Sequence, residues 1–277
     1  MILQDLLADA VPRLRRAGVA SPERDARRLL AHAAGIAPDR IGLAMRDAAP
    51  QDLAARLEPL LAARAAHQPV AQIVGARCFW GRMFRVTPAV LDPRPETETL
   101  IALALDGPRP SRLLDLGTGS GCLALTLLAE CPAARAVATD ISRAALGVAR
   151  ASAADLGLSD RVAFQHADWW QGVTGRFDLI VSNPPYIAAD EMPELSPDVR
   201  LWEDPRALTP GGDGLSAYRA LAAGLSAHLL PGGRAFFEIG ARQGPAVMAL
   251  FAAAGFDAAC HPDLDGRDRV VSARWAA

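Results

Sequence analysis

Hydrophobic positions in the first 70 residues recur at spacings of three and four, the pattern of helices that bury one face. The pattern runs through ILQDLLADAVPRL, ERDARRLLAHAAG and DLAARLEPLLAARAA. Ser21 and Pro22 mark the start of the second helix, because serine suits the N-cap position and proline the first helical position. The sequence therefore predicts a small helical domain over residues 1–70.

The pattern changes from Val70 to Val90, where short runs of β-forming residues surround Gly75 and Gly81. The runs CFW and MFRV are typical of the two strands of a hairpin. We expect residues 71–93 to form a β-hairpin connector between the helical domain and a larger domain over residues 94–277.

Short apolar runs alternate with helical patterns in this larger domain. A helix is expected in the last part of LDPRPETETLIALAL. The expected strands are RLLDLG, RAVATD, RVAFQHAD, FDLIVSN and, after a PGG turn, GRAFFEIG, while FDAAC and RVVSARW are close enough to pair as a terminal hairpin. The helical patterns between them are CLALTLLAE, SRAALGVARASAADLG, YRALAAGLSAHLL and GPAVMALFAAAG. This alternation predicts an α/β fold whose mostly parallel sheet is covered on both faces.

Composition narrows the classes of function. The 277 residues carry a formal charge of −2 with a pI of about 6.2, so no global basic field favours nucleic acid or an anionic membrane. No run reaches the ~18 apolar residues of a membrane span, and we expect a soluble cytoplasmic protein. The chain has no lysine, which excludes a P-loop lysine and a Schiff base. The four cysteines lack metal-ligand spacing and are expected to be small buried residues: Cys78, Cys122, Cys131 and Cys260.

Candidate cofactor chemistry begins at DLGTGSG, residues 115–121, where a strand is expected to turn into a helix. Its three glycines allow a sharp turn and let a ligand approach the main chain. The spacing G-x-G-x-G differs from a dinucleotide fingerprint, which would have its third glycine at Cys122. A tight turn without a ligand is the alternative. The candidate cofactor-binding residues of this loop are Gly117, Thr118, Gly119, Ser120 and Gly121.

Two further strand ends carry side chains suited to a nucleoside. Asp140, at the end of the second strand, could accept hydrogen bonds from two ribose hydroxyls, or it could cap the next helix. Asp168, at the end of the third strand, could accept from an exocyclic amine, and Trp169 offers an apolar wall or is ordinary core. Because consecutive strand ends meet at one edge of a parallel sheet, the three positions together predict a nucleoside pocket.

The strand FDLIVS runs directly into Asn183, Pro184, Pro185 and Tyr186. The prolines cannot continue a β-ladder, because each lacks an N–H group and has a fixed φ angle. Asn183 and Tyr186 are therefore expected to be held rigidly at the carboxyl end of a strand, where open α/β sheets bind ligands. A rigid turn without function is the alternative.

These motifs resemble the class I S-adenosylmethionine-dependent methyltransferases that methylate a planar nitrogen. A narrower resemblance covers nearly the whole chain and points to the HemK/PrmC family, which methylates the glutamine side-chain amide of the GGQ motif in class 1 peptide chain release factors. It rests on the helical N-terminus, QPVAQIVGARCFWGRMFRVTPAVLDPRPETETL, DVRLWEDPRAL and FEIGARQG. NPPY alone is shared with DNA adenine-N6 and RNA guanine-N2 methyltransferases.

The resemblance implies a Rossmann-like sheet, S-adenosylmethionine as cofactor and a release factor as protein substrate. The Asn183 side-chain oxygen and the Pro184 carbonyl would accept the N–H groups of the substrate amide, and Tyr186 would lie against its plane. Asn183 would also border the cofactor, and Pro185 would complete the substrate site. Because a single glutamine side chain offers little specificity through a small pocket, we also expect residues 1–70 to help dock the release factor. We further expect a monomer with no membrane contact and no direct nucleic-acid contact.

RPETETL, residues 94–100, lies outside the nucleoside motifs. The resemblance places it near the cofactor, whereas capping of the following helix by Glu96, Thr97 and Glu98 is the alternative. We assign no role to Glu238. Two other functions use the same motifs: a methyltransferase acting on exocyclic amines of nucleic acids, and a binding protein that has kept the fold without catalysis. A binding protein would have no need of Asn183 and Tyr186.

Overall fold

The computed structural model describes residues 1–275, which form two compact units. The first unit consists of Met1–Gly75 together with Ser196–Trp202, and the second of Ala76–Leu195 together with the chain from Glu203 onwards. The helices are α1 (Leu3–Arg16), α2 (Pro22–Ala34), α3 (Leu53–Ala65), α4 (Val70–Val74), α5 (Glu98–Leu105), α6 (Cys122–Glu130), α7 (Arg143–Asp155), α8 (Pro197–Trp202), α9 (Pro205–Leu208), α10 (Ser216–His228) and α11 (Gly244–Ala253). The strands are β1 (Ala76–Phe79), β2 (Arg82–Arg85), β3 (Arg112–Leu116), β4 (Arg135–Asp140), β5 (Val162–His166), β6 (Phe177–Ser182), β7 (Leu229–Glu238), β8 (Phe256–Pro262) and β9 (Asp268–Trp275).

The first unit is built on α1, α2 and α3, which cover the three helical patterns of residues 1–70. On α1, the residues that face the core are spaced by three or four: Leu3, Leu6, Ala10 and Leu14. Ser21 and Pro22 begin α2 as predicted, although the Ser21 side chain makes no capping hydrogen bond.

The expectation of β-structure from Val70 onwards is wrong for its first five residues, which form α4. Val70 and Ala71 are buried, and Val70 packs into the apolar core of the helical unit. This packing overrides the β propensity of valine and isoleucine. Gly75 ends the helix in the left-handed conformation, and the predicted hairpin follows as β1 and β2.

The segment Ser196–Trp202 belongs to the helical unit although it follows NPPY in the sequence. Arg64 holds it there: its guanidinium lies 2.8 Å from Asp25 Oδ2 and 2.7 Å from Asp198 Oδ2. The indole Nε1 of Trp202 donates to the Ala66 carbonyl oxygen at 3.0 Å. The sequence analysis did not anticipate this arrangement, because no local pattern reveals a contact made more than 130 residues away.

The second unit contains a seven-stranded sheet in the order β5-β4-β3-β6-β7-β9-β8. Neighbours from β5 to β7 are parallel, whereas β9 is antiparallel to both β7 and β8. The predicted mostly parallel sheet and terminal hairpin are therefore confirmed. The expected PGG turn is instead part of β7, which begins at Leu229 and pairs with β6 through an irregular register.

Both faces of the sheet are buried, because consecutive strand residues alternate between two apolar clusters. Leu113 and Phe236 belong to a cluster with α5 and α6, whereas Leu114 and Phe237 belong to a cluster with α10 and α11. The β1–β2 hairpin adds Phe79 and Phe84 to the first cluster.

The order of the strands positions a site. The chain runs from β3 outwards to β4 and β5, and then returns to place β6 on the other side of β3. Ligands of open α/β sheets bind at such a switch point, beyond the carboxyl ends of the strands. DLGTGSG follows β3 and NPPY follows β6, so the fold brings the two motifs to the same crevice.

The cysteine expectation holds only for Cys131. Cys78 is exposed, and Cys122 and Cys260 are partly buried. Across residues 1–275, no helix combines the length and the apolar character needed to cross a bilayer, and no cluster of side chains suited to a metal ion is found.

Candidate active site

A cavity of about 530 Å³ lies at the carboxyl ends of β3, β4, β5 and β6. This volume is within the range of pockets that hold small ligands and cofactors. Nine predicted residues line it: Gly117, Thr118, Gly119, Ser120, Asp140, Asp168, Trp169, Asn183 and Pro185. Three others do not: Gly121, Pro184 and Tyr186. The cavity belongs entirely to the second unit.

The three glycines of the loop after β3 are required for different structural reasons. Gly117 and Gly119 have φ angles of 73° and 55°, and a Cβ added at either would meet nothing within 4 Å, so the ligand side of the loop is open. Gly121 precedes α6, and a Cβ there would lie 2.9 Å from Leu125 Cδ1. Gly121 is therefore required by the turn and by helix packing rather than by contact with the cavity.

Asp115, the last residue but one of β3, holds the shape of this glycine loop through hydrogen bonds. Its Oδ2 accepts hydrogen bonds from Thr118 Oγ1 at 2.6 Å and from the backbone N–H of Ala124 at 3.2 Å. Complete burial raises the pKa of Asp115 to about 7. Asp115 thus joins the glycine loop to the first turn of α6 without lining the cavity.

Asp140 faces the cavity at the end of β4. Its Oδ2 accepts from the Gly119 N–H at 2.9 Å and its Oδ1 from the Ser142 N–H at 2.8 Å. Burial raises its pKa, and these two hydrogen bonds oppose the effect. The helix-cap alternative is wrong, because the N-cap of α7 is Ser142, whose side chain accepts from Ala145 N. Each carboxylate oxygen retains a lone pair for a ligand hydroxyl.

Asp168 and Trp169 lie slightly beyond the third strand of the motif, because β5 ends at His166 rather than at Asp168. Trp169 has a φ angle of 48°, a left-handed conformation that is rare for a bulky residue. Trp169 lines the cavity and also packs against the apolar cluster of α10 and α11, so it belongs both to the cavity wall and to the edge of the core. Trp170 is core, stacked on His228.

Asn183 and Pro185 are the NPPY residues that reach the cavity wall. Asn183 Nδ2 donates to Thr97 Oγ1 at 3.3 Å, and no group within residues 1–275 donates to Asn183 Oδ1. The same holds for the carbonyl oxygen of Pro184, whose residue is buried. Asn183, on the cavity wall, and Pro184, which is buried and does not line the cavity, thus carry two oxygen acceptors beside each other in sequence that receive no hydrogen bond within residues 1–275.

Tyr186 packs beside the site rather than into it. Its backbone N–H donates to the Leu208 carbonyl at 3.2 Å, and its own carbonyl accepts from Gln243 Nε2 at 2.9 Å. Burial raises the pKa of Tyr186 to about 12, which keeps the phenol neutral. The structure thus fixes the backbone of NPPY firmly on both sides.

Several cavity residues were missed from the sequence, among them Arg94, Asp204 and Arg206. Arg94 Nη2 lies 2.5 Å from Glu203 Oε1. The sequence offered one signal for these residues: they lie in RPETETL and WEDPRAL, two charged segments that contribute to the family resemblance. The capping alternative for RPETETL fails for two residues: Thr97 makes no capping bond, and Glu98 accepts instead from the Trp80 N–H at 2.7 Å.

Comparison with known proteins shows the family of this chain. A family model described as Methyltransferase small domain matches residues 96–215, and one described as PrmC N-terminal domain matches residues 5–75. The release factor glutamine methyltransferase of Cereibacter sphaeroides is 61% identical over 274 residues, covering 99% of this chain and 98% of the relative. That of Deinococcus radiodurans is 43% identical over 281 residues, covering 100% and 99%.

Solved structures share the fold. A methyltransferase from Pyrococcus furiosus has a TM-score of 0.55 at 17% identity, over 72% of this chain and 92% of its own. A 16S rRNA N2 G1207 methyltransferase from Thermus thermophilus, solved with AdoMet and guanosine, has a TM-score of 0.51 at 22% identity, over 73% and 50%. The resemblance inferred from the motifs is confirmed, and the chain belongs to the HemK/PrmC family of release factor glutamine methyltransferases.

Proposed function

We propose that this protein transfers a methyl group from S-adenosylmethionine to the side-chain amide nitrogen of the GGQ glutamine in class 1 release factors. The observation that carries the proposal is the free acceptor Asn183 Oδ1 on a residue that lines a cavity suited to a nucleoside, with the unpaired Pro184 carbonyl next to it in sequence. S-adenosylmethionine supplies an activated methyl group on a sulfonium centre. The residues that would hold it are the glycine loop, Asp140, Asp168 and Trp169.

The two acceptor oxygens of NPPY would help to overcome the low reactivity of the substrate amide. An amide nitrogen is a poor nucleophile because its lone pair is delocalised into the carbonyl group. Asn183 Oδ1 and the Pro184 carbonyl oxygen would receive the two N–H groups, orient the nitrogen and stabilise the positive charge that develops there. Tyr186 and Pro185 would confine the plane of the amide. The methyl group would leave the sulfonium as the latter becomes a neutral thioether, and the surplus N–H proton would pass to solvent after the N–C bond has formed, so no general base of matched pKa is needed.

The helical unit is proposed to dock the release factor. A single glutamine side chain offers too few contacts for a protein substrate to be selected through the cavity alone. A unit built of helices and separate from the cofactor site is a suitable second contact. We further propose a monomer that acts in the cytoplasm, where release factors are used, without direct nucleic-acid contact; the net charge of −2 supports this last point.

The test is transfer of labelled methyl to a purified release factor, beside a variant whose GGQ glutamine is replaced by asparagine. We expect label on the glutamine form alone. A short GGQ peptide should be methylated with a much lower kcat/KM than the whole factor, because it lacks the surface that would dock. Label on nucleic acid in place of release factor would overturn the proposal.

Asp140→Asn is expected to weaken S-adenosylmethionine binding about 10- to 100-fold. The substitution removes the charge that strengthens hydrogen bonds to the ribose hydroxyls, worth about 1.5–3 kcal/mol. Isothermal titration calorimetry measures the change. Asp178→Asn is the matched control, because Asp178 is also at a strand end but binds the Ser111 and Arg112 backbone N–H groups away from the cavity. Equal affinities in the two variants would refute the role given to Asp140.

A further inference from the structure

A buried chain of polar side chains leads from Asn183 into the core of the second unit. Asn183 Nδ2 lies 3.3 Å from Thr97 Oγ1. The Thr97 side chain in turn lowers the pKa of the buried Glu238, whose Oε2 has no hydrogen-bond partner within residues 1–275. Thr97 is 2% exposed and Glu238 is 1% exposed, at the end of β7. The proposed reaction uses neither residue. A carboxyl group is costly to bury, so its position behind Asn183 calls for an explanation.

The chemistry of the three groups determines the direction of each hydrogen bond. An ionised carboxylate can only accept, so in an interaction between Thr97 and an ionised Glu238 the Thr97 hydroxyl is the donor of its single proton. The Thr97 oxygen can then only accept from Asn183, and within the Asn183 amide only Nδ2 can donate. Oδ1 is therefore turned away from Thr97 and remains free as an acceptor.

We propose that Thr97 and Glu238 are positioning residues, which hold the Asn183 amide in the orientation that presents Oδ1 to the substrate nitrogen. A flipped amide would present an NH₂ group to the N–H of the substrate, and the hydrogen bond would be lost. This inference rests on the proposed function, since it takes Asn183 as the acceptor.

The orientation depends on the charge of Glu238. Burial raises its pKa to about 7, and the hydrogen bond from Thr97 opposes that effect. Once protonated, Glu238 can donate a hydrogen bond to the Thr97 oxygen. The Thr97 hydroxyl can then donate to Asn183 Oδ1, which stabilises the flipped orientation of the Asn183 amide. We therefore expect kcat to fall as the pH drops through about 7. The titratable and charged groups that interact with Glu238 or bond to its backbone are Arg94, Glu96, Cys122, Tyr186, Tyr218 and Arg269.

The composition of the chain offers a direct readout. Asn183 is the only asparagine among the 277 residues, so labelling with [¹⁵N]asparagine gives one side-chain NH₂ group in an NMR spectrum. We expect its two proton signals to be well separated at pH 8, because one proton is bonded to Thr97. The separation should decrease on acidification in the wild type and in Thr97→Ser. It should be small at every pH in Thr97→Val, and Glu238→Gln should abolish the titration.

Steady-state kinetics of the Thr97 variants provide a second test of the proposal. Thr97→Val removes the hydroxyl while keeping the shape, and we expect kcat to fall about 10-fold with KM changed less than about twofold. Thr97→Ser should retain kcat within about threefold. Thr126→Val is the matched control, because Thr126 is fully buried on α6 and its hydroxyl has no partner within residues 1–275. It should leave kcat and the NH₂ signals unchanged.

Two outcomes would overturn the inference: NH₂ signals in Thr97→Val that match the wild type, or a kcat in that variant equal to that of Thr126→Val. If kcat fell in the same way at low pH in the wild type and in Glu238→Gln, the proposed role of the Glu238 charge would be refuted. A wild-type protein that does not methylate release factor would refute the proposed function instead. The NMR arm needs no substrate, so the two failures are distinguishable.

Discussion

Replacing Asn183 by alanine is expected to lower kcat for methyl transfer about 100- to 1,000-fold, the loss typical of one preorganised hydrogen bond to a developing charge. The alanine side chain cannot accept the N–H group that Asn183 Oδ1 is positioned to receive. Because the interaction strengthens as the nitrogen becomes positive, the loss should be in kcat, with a smaller change in KM. Single-turnover measurements with labelled S-adenosylmethionine would quantify it.

The control for this variant is cofactor affinity, since Asn183 also lines the cavity. We expect the Kd for S-adenosylmethionine to change no more than about fivefold, the effect of one neutral hydrogen bond. An Asn183→Ala protein that turns over as fast as the wild type would show that NPPY is a structural turn. A protein that no longer binds the cofactor would place Asn183 in the cofactor site instead.

Arg64→Leu is expected to lower the free energy of unfolding of the helical unit by about 3–5 kcal/mol. Arg64 is 3% exposed and Asp25 is 4% exposed, so leucine would leave a buried carboxylate without its buried countercharge and with only the exposed Arg24 at 3.5 Å. Asp198 would also lose one of its two partners and keep only His67, whose Nδ1 lies 3.2 Å from Asp198 Oδ1, so the attachment of α8 would weaken. Urea denaturation measures the change, and hydrogen exchange of α2, α3 and α8 would locate it.

The comparison variant is Arg56→Leu on the same helix. Arg56 pairs with Asp52 at 3.0 Å, but both side chains are largely in solvent, and such a pair contributes about 0–1 kcal/mol. We therefore expect α3 to be nearly as stable in this variant as in the wild type. If the two leucine variants lost the same stability, the contribution of Arg64 would come from its aliphatic stem rather than from its charge.

The parts of the molecule that could be predicted are those whose cause is local. Glycine spacing, strand ends and paired prolines are written in adjacent residues, and they were enough to bring Gly117, Asp140 and Asn183 to one edge of a sheet. The pattern of β4 and α6 even matched the element bounds, because a polar or glycine residue ends each run.

What could not be predicted depends on distant contacts. Val70 is helical because it packs into the core of its unit, and Ser196–Trp202 join that unit because Arg64 attracts Asp198. Thr97 suggested a helix cap, as threonine before a helix usually does, yet its hydroxyl serves Asn183. The role of a polar side chain could thus not be predicted from the sequence wherever its hydrogen-bond or ion-pair partner lay far along the chain.

The position of Ser196–Trp202 has a consequence for how the protein can be divided. Because this segment returns to the helical unit, the backbone passes between the two units three times, after Gly75, Leu195 and Trp202. A single protease cut after Gly75 would therefore leave Ser196–Trp202 covalently attached to the second unit, and residues 1–75 would be retained only through their contacts with this segment. Transplanting the helical unit onto another methyltransferase would therefore require two separate grafts, residues 1–75 and the segment Ser196–Trp202.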